Sequence, residues 1–449
     1  MSFDILNLNT PLRNALTDLG FSTPTPIQEM AFPVIMSGKD VVGLAQTGTG
    51  KTFAYLLPIL RQLKFSDQKH PRILIILPTR ELVQQVVAEI EKLTKYSNFR
   101  YAGVYGGTNI NTQKKLVYEG LDILVATPGR LVDLAMSGIL RLNSIQKLVI
   151  DEVDEMLALG FRPQTIQILE LLPAKRQNLM FSATLTEDVQ QLIQDFFVDP
   201  QWVETGSIHT PVEQIEHSVY MIPNFRTKVN MLSLLLNEDN SMNRVLVFVS
   251  DKKAADRLFD SLDERFPGSI AVIHSNKSQN YRFGAIAKFR DGSHRVLIAT
   301  DIASRGLDIA DISHVVNFNI PEIPEDYIHR TGRTGRADKQ GIAISFATEN
   351  ELELLENIEN LIGFKIDEKA VPENLPVSSE LYLDEIPAPL YDKDYLKEPA
   401  PKAPKGAFHE KKDKNKKVNL GGPKKRNPKY GKPAKAPHER KSTRNKPRL

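Results

Sequence analysis

The chain has 449 residues, of which 41% are hydrophobic and 25% charged, and its formal net charge is +3. This length predicts two or three domains, and the composition is that of a globular protein rather than a disordered or fibrous one. The sequence contains no cysteine, which excludes disulfides and thiolate metal sites. It has no run of 18 apolar residues and no signal-peptide pattern at its start, so we expect neither a membrane span nor secretion.

The small net charge conceals an asymmetry between the end of the chain and the rest. Residues 401–449 hold 18 Lys and Arg against 3 Asp and Glu, whereas residues 1–400 hold 40 against 52. An acidic body with a basic tail predicts that the tail meets a polyanion, although a tail that only raises solubility has the same composition. Because the tail has almost no apolar residues, we predict that it is disordered.

The first 28 residues predict a helical lead-in followed by a stiff loop. Apolar residues recur at roughly helical spacing over residues 6–19, and Gly20 ends this run. Two prolines then restrict the loop, and Pro26 suits the first turn of a second helix. Taken alone, Gln28 would be a solvated residue of that helix.

Residues 45–52, with the sequence AQTGTGKT, predict a loop that binds phosphates. An apolar strand-like run precedes them and a helix-like run follows. Glycines let successive backbone N–H groups turn toward an anion, and the helix N-terminus adds partial positive charge. The alternative is a glycine-rich turn, but the Gly-Lys-Thr sequence and its flanks favour the phosphate loop. The candidate phosphate ligands are Gln46, Thr47, Gly48, Thr49, Gly50, Lys51 and Thr52.

Strand-like apolar runs alternate with helical segments through the rest of the first half, and each run ends in a polar cluster. Such solid apolar runs predict a parallel sheet covered by helices on both faces, with ligands beyond the C-terminal strand ends. The predicted strands are 41–44, 73–77, 101–105, 123–126, 148–150 and 178–181.

A second alternating series follows a short polar segment, so we predict an α/β protein with two tandem domains, each a parallel sheet covered by helices. The predicted strands of the second series are 218–222, 245–249, 270–273, 296–299, 315–318 and 342–346. The predicted organisation is a first domain over 1–205, a linker over 206–212, a second domain over 213–365, and an extension with a disordered Lys-rich tail over 366–449.

Asp151 and Glu152 directly follow a predicted strand about a hundred residues after the phosphate loop. One carboxylate there can hold Mg²⁺ through water, and its neighbour can orient or deprotonate a water aimed at a γ-phosphate. Acidic residues at a strand end also serve as helix N-caps. The presence of Lys51 in the same domain favours the catalytic interpretation.

Residues 329–336, with the sequence HRTGRTGR, place three arginines at three-residue spacing with glycines between them. Guanidinium groups in this pattern suit a polyphosphate, whereas the alternatives are a solvated basic loop or a separate RNA patch. The cluster lies in the second predicted domain and the phosphate loop in the first. If both serve one ATP, the nucleotide lies between the domains, and hydrolysis requires domain closure with arginine fingers.

These motifs, in this order, resemble those of the bacterial DEAD-box RNA helicases, which are RecA-like ATPases of helicase superfamily 2. The resemblance covers about residues 1–365 and implies ATP and Mg²⁺ as ligands. The signature has the variant sequence Asp-Glu-Val-Asp, with Val153 where the family name requires Ala. Both flanking acids are kept, so we expect activity to be retained.

The resemblance also implies roles for individual residues. Phe3, Phe21 and Gln28 would bind adenine, and Asp308 would bind the nucleotide. Lys51, Asp151, Glu152, Arg333 and Arg336 would be catalytic, with Thr52 and Asp151 as metal ligands. Ser182, Thr184, Asp301, Arg305 and His329 would couple hydrolysis to unwinding. RNA contacts would come from Pro78, Thr79, Arg80, Gly106, Gly107, Thr127, Pro128, Gly129, Arg130, Ser250, Gln279, Arg282 and Thr300.

The resemblance therefore implies an RNA-stimulated ATPase that closes its two domains, bends one strand and unwinds short RNA duplexes. We expect its RNA binding to be largely independent of base sequence, because the predicted contacts are to the backbone. We also expect a cytoplasmic monomer that can associate with ribonucleoproteins or ribosomal precursors. Two alternatives stay open, namely a DNA helicase on the same scaffold and an ATP-gated RNA clamp.

Overall fold

A computed structural model of the chain describes residues 2–45, 48–205, 215–304, 312–335, 341–382 and 385. One compact unit covers residues 1–386 and contains two seven-stranded parallel sheets. A second unit, 387–449, lies outside the described residues, as do the predicted linker at 206–212 and the predicted disordered tail. The predicted fold, two α/β domains with parallel sheets, is confirmed.

The first sheet has the strand order β3-β4-β2-β5-β6-β1-β7. Its strands are β1 (Val41–Leu44), β2 (Ile73–Ile76), β3 (Tyr101–Val104), β4 (Ile123–Ala126), β5 (Lys147–Ile150), β6 (Gln177–Ser182) and β7 (Gln201–Glu204). The helices of this half are α1 (Thr10–Asp18), α2 (Pro26–Met36), α3 (Lys51–Gln62), α4 (Arg80–Leu93), α5 (Ile110–Glu119), α6 (Pro128–Met136), α7 (Val153–Ala158), α8 (Arg162–Leu171) and α9 (Glu187–Phe196).

The second sheet repeats this order as β10-β11-β9-β12-β13-β8-β14. Its strands are β8 (Ile215–Met221), β9 (Val245–Val249), β10 (Ile270–Ile273), β11 (Val296–Thr300), β12 (His314–Asn317), β13 (Gly341–Ala347) and β14 (Asp367–Glu368). The helices are α10 (Phe225–Glu238), α11 (Lys252–Asp263), α12 (Gln279–Arg290), α13 (Asp301–Ser304), α14 (Pro324–Thr331) and α15 (Leu352–Ile362).

Each sheet separates two apolar layers because successive side chains of a strand point to opposite faces. In β1, Val41 packs into one cluster with Ile73 and Ile75, and Val42 packs into the other with Leu74. Burial on both faces explains why these strands are continuous apolar runs and were predictable from sequence.

Among the helices of the described residues, none combines the length and the apolar character that a membrane span requires.

Two edge strands were missed by the sequence analysis, and one of them moves a predicted boundary. The short strand β7 pairs with β1, but only one of its four residues is buried. Strand β14 pairs with β8 beyond residue 365, where we placed the end of the second domain. The chain then continues over the domain surface, where Leu375 enters the core and the Tyr382 ring lies 5.4 Å from that of Phe225. Edge strands need no apolar periodicity, so the pattern did not reveal them.

Candidate functional site

The described residues of the predicted phosphate loop, 45 and 48–52, lie between β1 and the first turn of α3, at the C-terminal end of the first sheet. The Ala45 backbone N–H donates to the Ser182 carbonyl at 3.1 Å, which anchors the start of the loop to β6. Gly50 has a φ of 92° and occupies the N-cap of α3, and Lys51 opens the helix with a buried side chain. A side chain at Gly50 would be strained at this φ, so the glycine keeps the helix N-terminus open.

Gln28 connects the beginning of α2 to this loop. Its Oε1 accepts from the Thr25 backbone N–H at 3.1 Å, and its Nε2 donates to the Gly50 carbonyl at 3.2 Å. A Cβ atom on Gly50 would lie 2.5 Å from that Nε2 atom. Gln28 is thus buried and bonded rather than solvated, and its predicted role in reading adenine stays a prediction.

Phe3 and Phe21, the two predicted adenine-binding aromatics, line one pocket of about 450 Å³ together with Gly20. The Phe3 backbone N–H donates to the Ser22 carbonyl at 3.4 Å, and the Phe21 ring meets the Phe53 ring edge to face at 5.4 Å. The structure therefore brings two distant aromatics to one surface beside α3, which follows the phosphate loop.

Asp151 and Glu152 follow β5 in an unusual backbone conformation. Glu152 has a φ of 51°, a left-handed value that is strained for a residue with a Cβ, and α7 begins directly after it. The Asp151 Oδ1 atom accepts from the Glu152 backbone N–H at 2.9 Å. Burial raises the pKa of Asp151 to about 6 against the opposing charge of Lys51. Burial and the neighbouring Glu155 carboxylate raise the pKa of Glu152 to about 8.

The residues around Lys51 fit a bound phosphate chain with Mg²⁺. The Lys51 Nζ and Glu152 Oε2 atoms are both buried and have no hydrogen-bond partner among the described residues. Unpaired buried polar groups are destabilising, and a phosphate anion with its water would satisfy both. Asp151 and Thr52 would contribute hard oxygen ligands to Mg²⁺, which usually takes its remaining ligands from waters and phosphates. No cluster of three or more His, Asp or Glu residues that could hold a metal occurs within the described ranges.

Asp154 links the acid pair to the segment that follows β6. Its Oδ2 atom accepts from the backbone N–H groups of Ala183 and Thr184, at 3.1 and 2.8 Å, and from the Thr184 hydroxyl at 2.9 Å. Burial alone would raise the pKa of Asp154, but the charges of His329 and Lys51 and the hydrogen bond from Thr184 hold it below its usual value. The predicted coupling residue Thr184 is therefore directly bonded to the acidic signature.

The second domain contributes Arg333 to the same site. Its Nη2 atom lies 3.7 Å from the Glu155 Oε1 atom of α7, and its Nε donates to the His329 carbonyl at 3.3 Å. Asp154 was noted only as part of the Asp-Glu-Val-Asp signature, and no role was predicted for it or for Glu155. Their position three and four residues after Asp151, on the short helix α7, was the available signal, because a helix brings such residues back toward one face.

Arg330 corrects the expectation that all three arginines of this cluster serve a polyphosphate. Its guanidinium forms a bidentate pair with Asp301 at 2.6 and 2.8 Å. It also donates to the Asn317 side chain and the Asn319 carbonyl. Arg330 is buried within the second domain as part of α14, whereas Arg333 lies beyond the end of this helix at Thr331, so the two side chains leave the backbone in different directions.

Three predicted RNA-binding residues meet at a second contact between the domains. The Arg80 Nη1 atom donates to the Gln279 Oε1 atom at 3.0 Å, and the Gln279 Nε2 atom donates to Glu81 at 3.0 Å. Arg282 forms an ion pair with the same Glu81 carboxylate at 2.8 Å. These polar side chains connect α4 to the start of α12 and so join the two predicted RNA-binding surfaces.

The predicted RNA-binding loops of the first domain begin helices or support one another. Thr79 caps α4 through the Leu82 N–H. Gly107 has a φ of 77°, and a Cβ there would collide with the Arg80 guanidinium. Arg130 is buried and donates to the Gln113 side chain at 2.6 Å and to the Thr108 carbonyl at 3.0 Å. The Arg130 side chain therefore supports the loop around Gly107 from the interior. This buried position does not support direct contact between the Arg130 guanidinium and RNA.

The remaining predicted residues fall at the same ends of their sheets or outside the described ranges. Thr127 is the N-cap of α6, Pro128 begins this helix, and Thr300 ends β11. The Ser250 backbone N–H donates to Asn319 at 3.2 Å. The predicted residues that lie outside the described ranges are Gln46, Thr47, Arg305, Asp308 and Arg336.

Comparisons with known proteins match both halves of the chain. A family model described as DEAD/DEAH box helicase matches residues 25–192, and one described as helicase conserved C-terminal domain matches residues 227–338. The ATP-dependent RNA helicase RhlB of Pseudomonas syringae is 42% identical over 382 residues, which cover 83% of this chain and 96% of the relative. The DEAD-box ATP-dependent RNA helicase CshA of Bacillus subtilis is 37% identical over 373 residues, covering 83% of this chain and 74% of the relative. Among solved structures, S. cerevisiae Dbp5 bound to RNA and ADP BeF3 has a TM-score of 0.75 at 29% identity, covering 83% of this chain and 95% of that one.

Proposed function

Because the chain belongs to the DEAD-box helicase family, we propose that it is an ATP-dependent RNA helicase. The observation that carries this proposal is the meeting of Arg333 with Glu155, which puts a second-domain arginine beside the acid pair and Lys51 of the first domain. An ATPase site divided in this way is complete only when the domains are closed. RNA that spans both domains would then stabilise closure and stimulate hydrolysis.

Each residue of the divided site has a chemical task in this proposal. The open N-terminus of α3 and Lys51 bind the phosphates, and Glu152 accepts a proton from the attacking water. Thr52 and Asp151 would hold Mg²⁺, which when bound neutralises charge on the phosphate oxygens. Arg333 stabilises the negative charge that develops on the transferred phosphoryl group.

Asp154 is the proposed connection between hydrolysis and RNA. Three hydrogen bonds fasten it to Ala183 and Thr184, so a shift of α7 at the acid pair would move the segment after β6. The variant residue Val153 is fully buried in the core of the first domain, which supports retained activity for the Asp-Glu-Val-Asp signature. A β-branched aliphatic side chain there adds apolar contacts to this core.

RNA-stimulated ATP hydrolysis and duplex unwinding test the function directly. We expect a short RNA duplex with a single-stranded extension to raise the turnover number for ATP and to be unwound, whereas DNA of the same sequence and length does neither. Preference for RNA would come from contacts to the 2′-hydroxyl groups. Equal stimulation by DNA would favour the DNA helicase alternative. Slow turnover with a long-lived complex of ATP and RNA would favour the RNA clamp.

Gln28 is proposed to read the adenine base while its amide also supports the phosphate loop. Gln28→Ala should reduce the preference for ATP over GTP and also weaken binding of both nucleotides, because the bond to the Gly50 carbonyl is lost. Gln62→Ala is a suitable control, since its side-chain amide also donates to a backbone carbonyl, that of Met36, at the far end of α3. Unchanged discrimination against GTP would remove Gln28 from the role in base recognition.

The basic tail is proposed to tether the enzyme to structured RNA. Its 18 Lys and Arg would contact phosphates without base specificity and raise the local concentration of substrate. Removal of residues 401–449 should weaken RNA binding at physiological salt and leave ATP binding unchanged. The boundary leaves β14 and the segment up to Tyr382 in place. If the truncated enzyme and the full chain need the same RNA concentration for half-maximal unwinding, the proposal that the tail is a tether is wrong.

We also propose a cytoplasmic monomer that acts on ribonucleoprotein or ribosomal-precursor RNA. Both halves of the ATPase site come from one chain, which supports a monomer as the active unit. Analytical ultracentrifugation with and without RNA tests the oligomeric state. Sequencing of RNAs crosslinked to the enzyme in cells would identify the substrates.

A further inference from the structure

Glu155 makes a contact between the domains that the proposed chemistry leaves without a role. It lies on α7, three residues after Glu152, and its side chain is only 3% exposed. The Arg333 side chain, which is 5% exposed, approaches it from the second domain with 3.7 Å between Nη2 and Oε1. Both groups are therefore taken out of water at the position where the two domains meet.

The path of the chain explains why the Glu155 carboxylate faces the site rather than the core. The left-handed backbone of Glu152 starts α7 abruptly, and Val153 and Met156 then turn into the apolar layer under the sheet. Residues three apart on a helix share one side, so the Glu152 and Glu155 carboxylates become neighbours. Glu155 is accordingly the charged neighbour with the largest effect on Glu152.

Two buried carboxylates side by side require positive charge nearby, because neither is compensated by water. Lys51 supplies such charge from the first domain, and Arg333 supplies it from the second. A guanidinium is planar and presents several N–H edges, so one edge can meet a carboxylate while another faces a phosphate. A lysine ammonium in place of Arg333 would lack this fixed fork.

We propose that Glu155 is a positioning residue that holds the Arg333 guanidinium in the orientation from which it contacts the γ-phosphate. The inference rests on the proposed ATPase function and adds a residue that acts through Arg333 rather than on the nucleotide. Glu155 belongs to the first domain and Arg333 to the second. The pair therefore forms only on closure and aligns the arginine in the same movement that brings it to the site.

Steady-state ATPase kinetics with saturating RNA test this role. Glu155→Gln, which keeps the size and removes the charge, should lower kcat by about 10- to 100-fold, since a displacement of a catalytic group by about 1 Å can cost about 100-fold. The KM for ATP should change little, because the phosphate loop and Lys51 are untouched. Glu155→Asp keeps the charge on a shorter side chain and should recover part of the lost kcat. Glu170→Gln, an exposed change on α8 of the same domain, is the matched control and should behave like the unmodified enzyme.

A double-mutant cycle separates positioning from a general structural effect. In an Arg333→Lys background, Glu155→Gln should cause no further loss of kcat, because the fork it orients is already gone. The melting temperature and the affinity for a fluorescent ATP analogue verify that each variant is folded and binds nucleotide. A multiplicative loss in the double variant, an unchanged kcat in Glu155→Gln, or a raised kcat would each overturn the proposal. A raised kcat would mean that Glu155 competes with the phosphate for Arg333.

The same cycle distinguishes failure of this inference from failure of the proposed function. If Arg333→Lys alone leaves kcat unchanged, the divided ATPase site is wrong, and the role of Glu155 falls with it. If Arg333→Lys lowers kcat but Glu155→Gln does not, only the positioning role is wrong.

Discussion

The two sheets of this molecule have the same strand order but opposite chemistry at their C-terminal ends. In the first sheet, β1 leads into α3, whose N-terminus is kept open by Gly50. In the second, the equivalent strand β8 leads into α10, and side chains of the protein accept hydrogen bonds from the N–H groups at the N-terminus of that helix. There the Asn224 Oδ1 atom accepts from the Thr227 N–H at 2.9 Å, and the Glu385 Oε1 atom accepts from the Phe225 N–H at 2.5 Å. A helix N-terminus attracts an anion in both domains, but only the first leaves the position open for a ligand.

The equivalent strands β5 and β12 differ in the same way. After β5 come the acids Asp151 and Glu152, whereas Phe318 and Asn319 follow β12. The second domain instead supplies Arg333. Duplicated topology therefore defines where ligand-facing groups lie, and the loop residues decide whether a domain binds phosphate or assists its transfer.

The largest expected effect concerns the two arginines of the second domain. Arg333→Ala should lower kcat by about 10³-fold or more, as for other arginine fingers, with little change in the stability of either domain. Arg330→Ala should instead destabilise the second domain by roughly 3 kcal/mol, because Asp301 loses its buried partner. ATPase assays and urea unfolding of both variants measure the contrast. Equal effects on activity and stability would show that the arginines share one role.

Glu152→Gln tests the acid pair that only the first sheet carries. Turnover should fall by roughly 10²- to 10⁴-fold, because the attacking water loses its general base. Binding of ATP and RNA should persist, since Lys51 and the phosphate loop are unchanged. Single-turnover hydrolysis and fluorescence titrations measure the two properties separately. Near-normal hydrolysis would exclude Glu152 as the base.

The same acid pair predicts a dependence on pH. Burial raises the pKa of Glu152 to about 8, and a general base acts only when deprotonated, so kcat/KM for ATP should rise with pH up to about pH 8. Below that value it should fall about tenfold per pH unit. Because this pKa lies above the ordinary value of 4.5, Glu152 stays protonated up to a higher pH in the native state than in the unfolded chain. The contribution of Glu152 to the free energy of unfolding therefore decreases as pH rises from 4.5 to about 8. A flat kcat/KM profile between pH 6.5 and 8.5 would contradict this prediction.

The smallest expected effect concerns the closed helix N-terminus of the second sheet. Asn224→Ala should reduce the free energy of unfolding by about 1 kcal/mol, the usual contribution of an N-cap. ATP turnover should stay unchanged, because α10 binds no nucleotide in the proposed mechanism. Urea unfolding beside an ATPase assay measures both quantities. A specific loss of ATPase activity would indicate that this helix also belongs to the nucleotide site.

Local patterns predicted much of this fold and the first half of the site. The phosphate loop was predicted from the residue spacing within 45–52. The apolar runs of the buried strands likewise can be recognised without knowing which strands they pair with. The strands β7 and β14 were not predicted because each lies at the edge of its sheet. An edge strand has a neighbour on one side only, so fewer of its side chains are buried and its sequence shows little apolar periodicity. The resemblance to DEAD-box helicases, which the family models and relatives confirm, was recognisable because its motifs are short and local.

The sequence by itself was enough to predict the strands of two parallel sheets, the candidate phosphate loop and the acidic signature, since each is recognised from neighbours within a few residues. Only the tertiary structure decided how the arginines divide, with Arg330 bonded to Asp301 and Arg333 facing Glu155. It also decided that Arg130 supports a loop from the interior. The physical reason is that the direction of a charged side chain depends on which distant group compensates its charge. That group becomes a neighbour only when the chain has folded and the two domains have met.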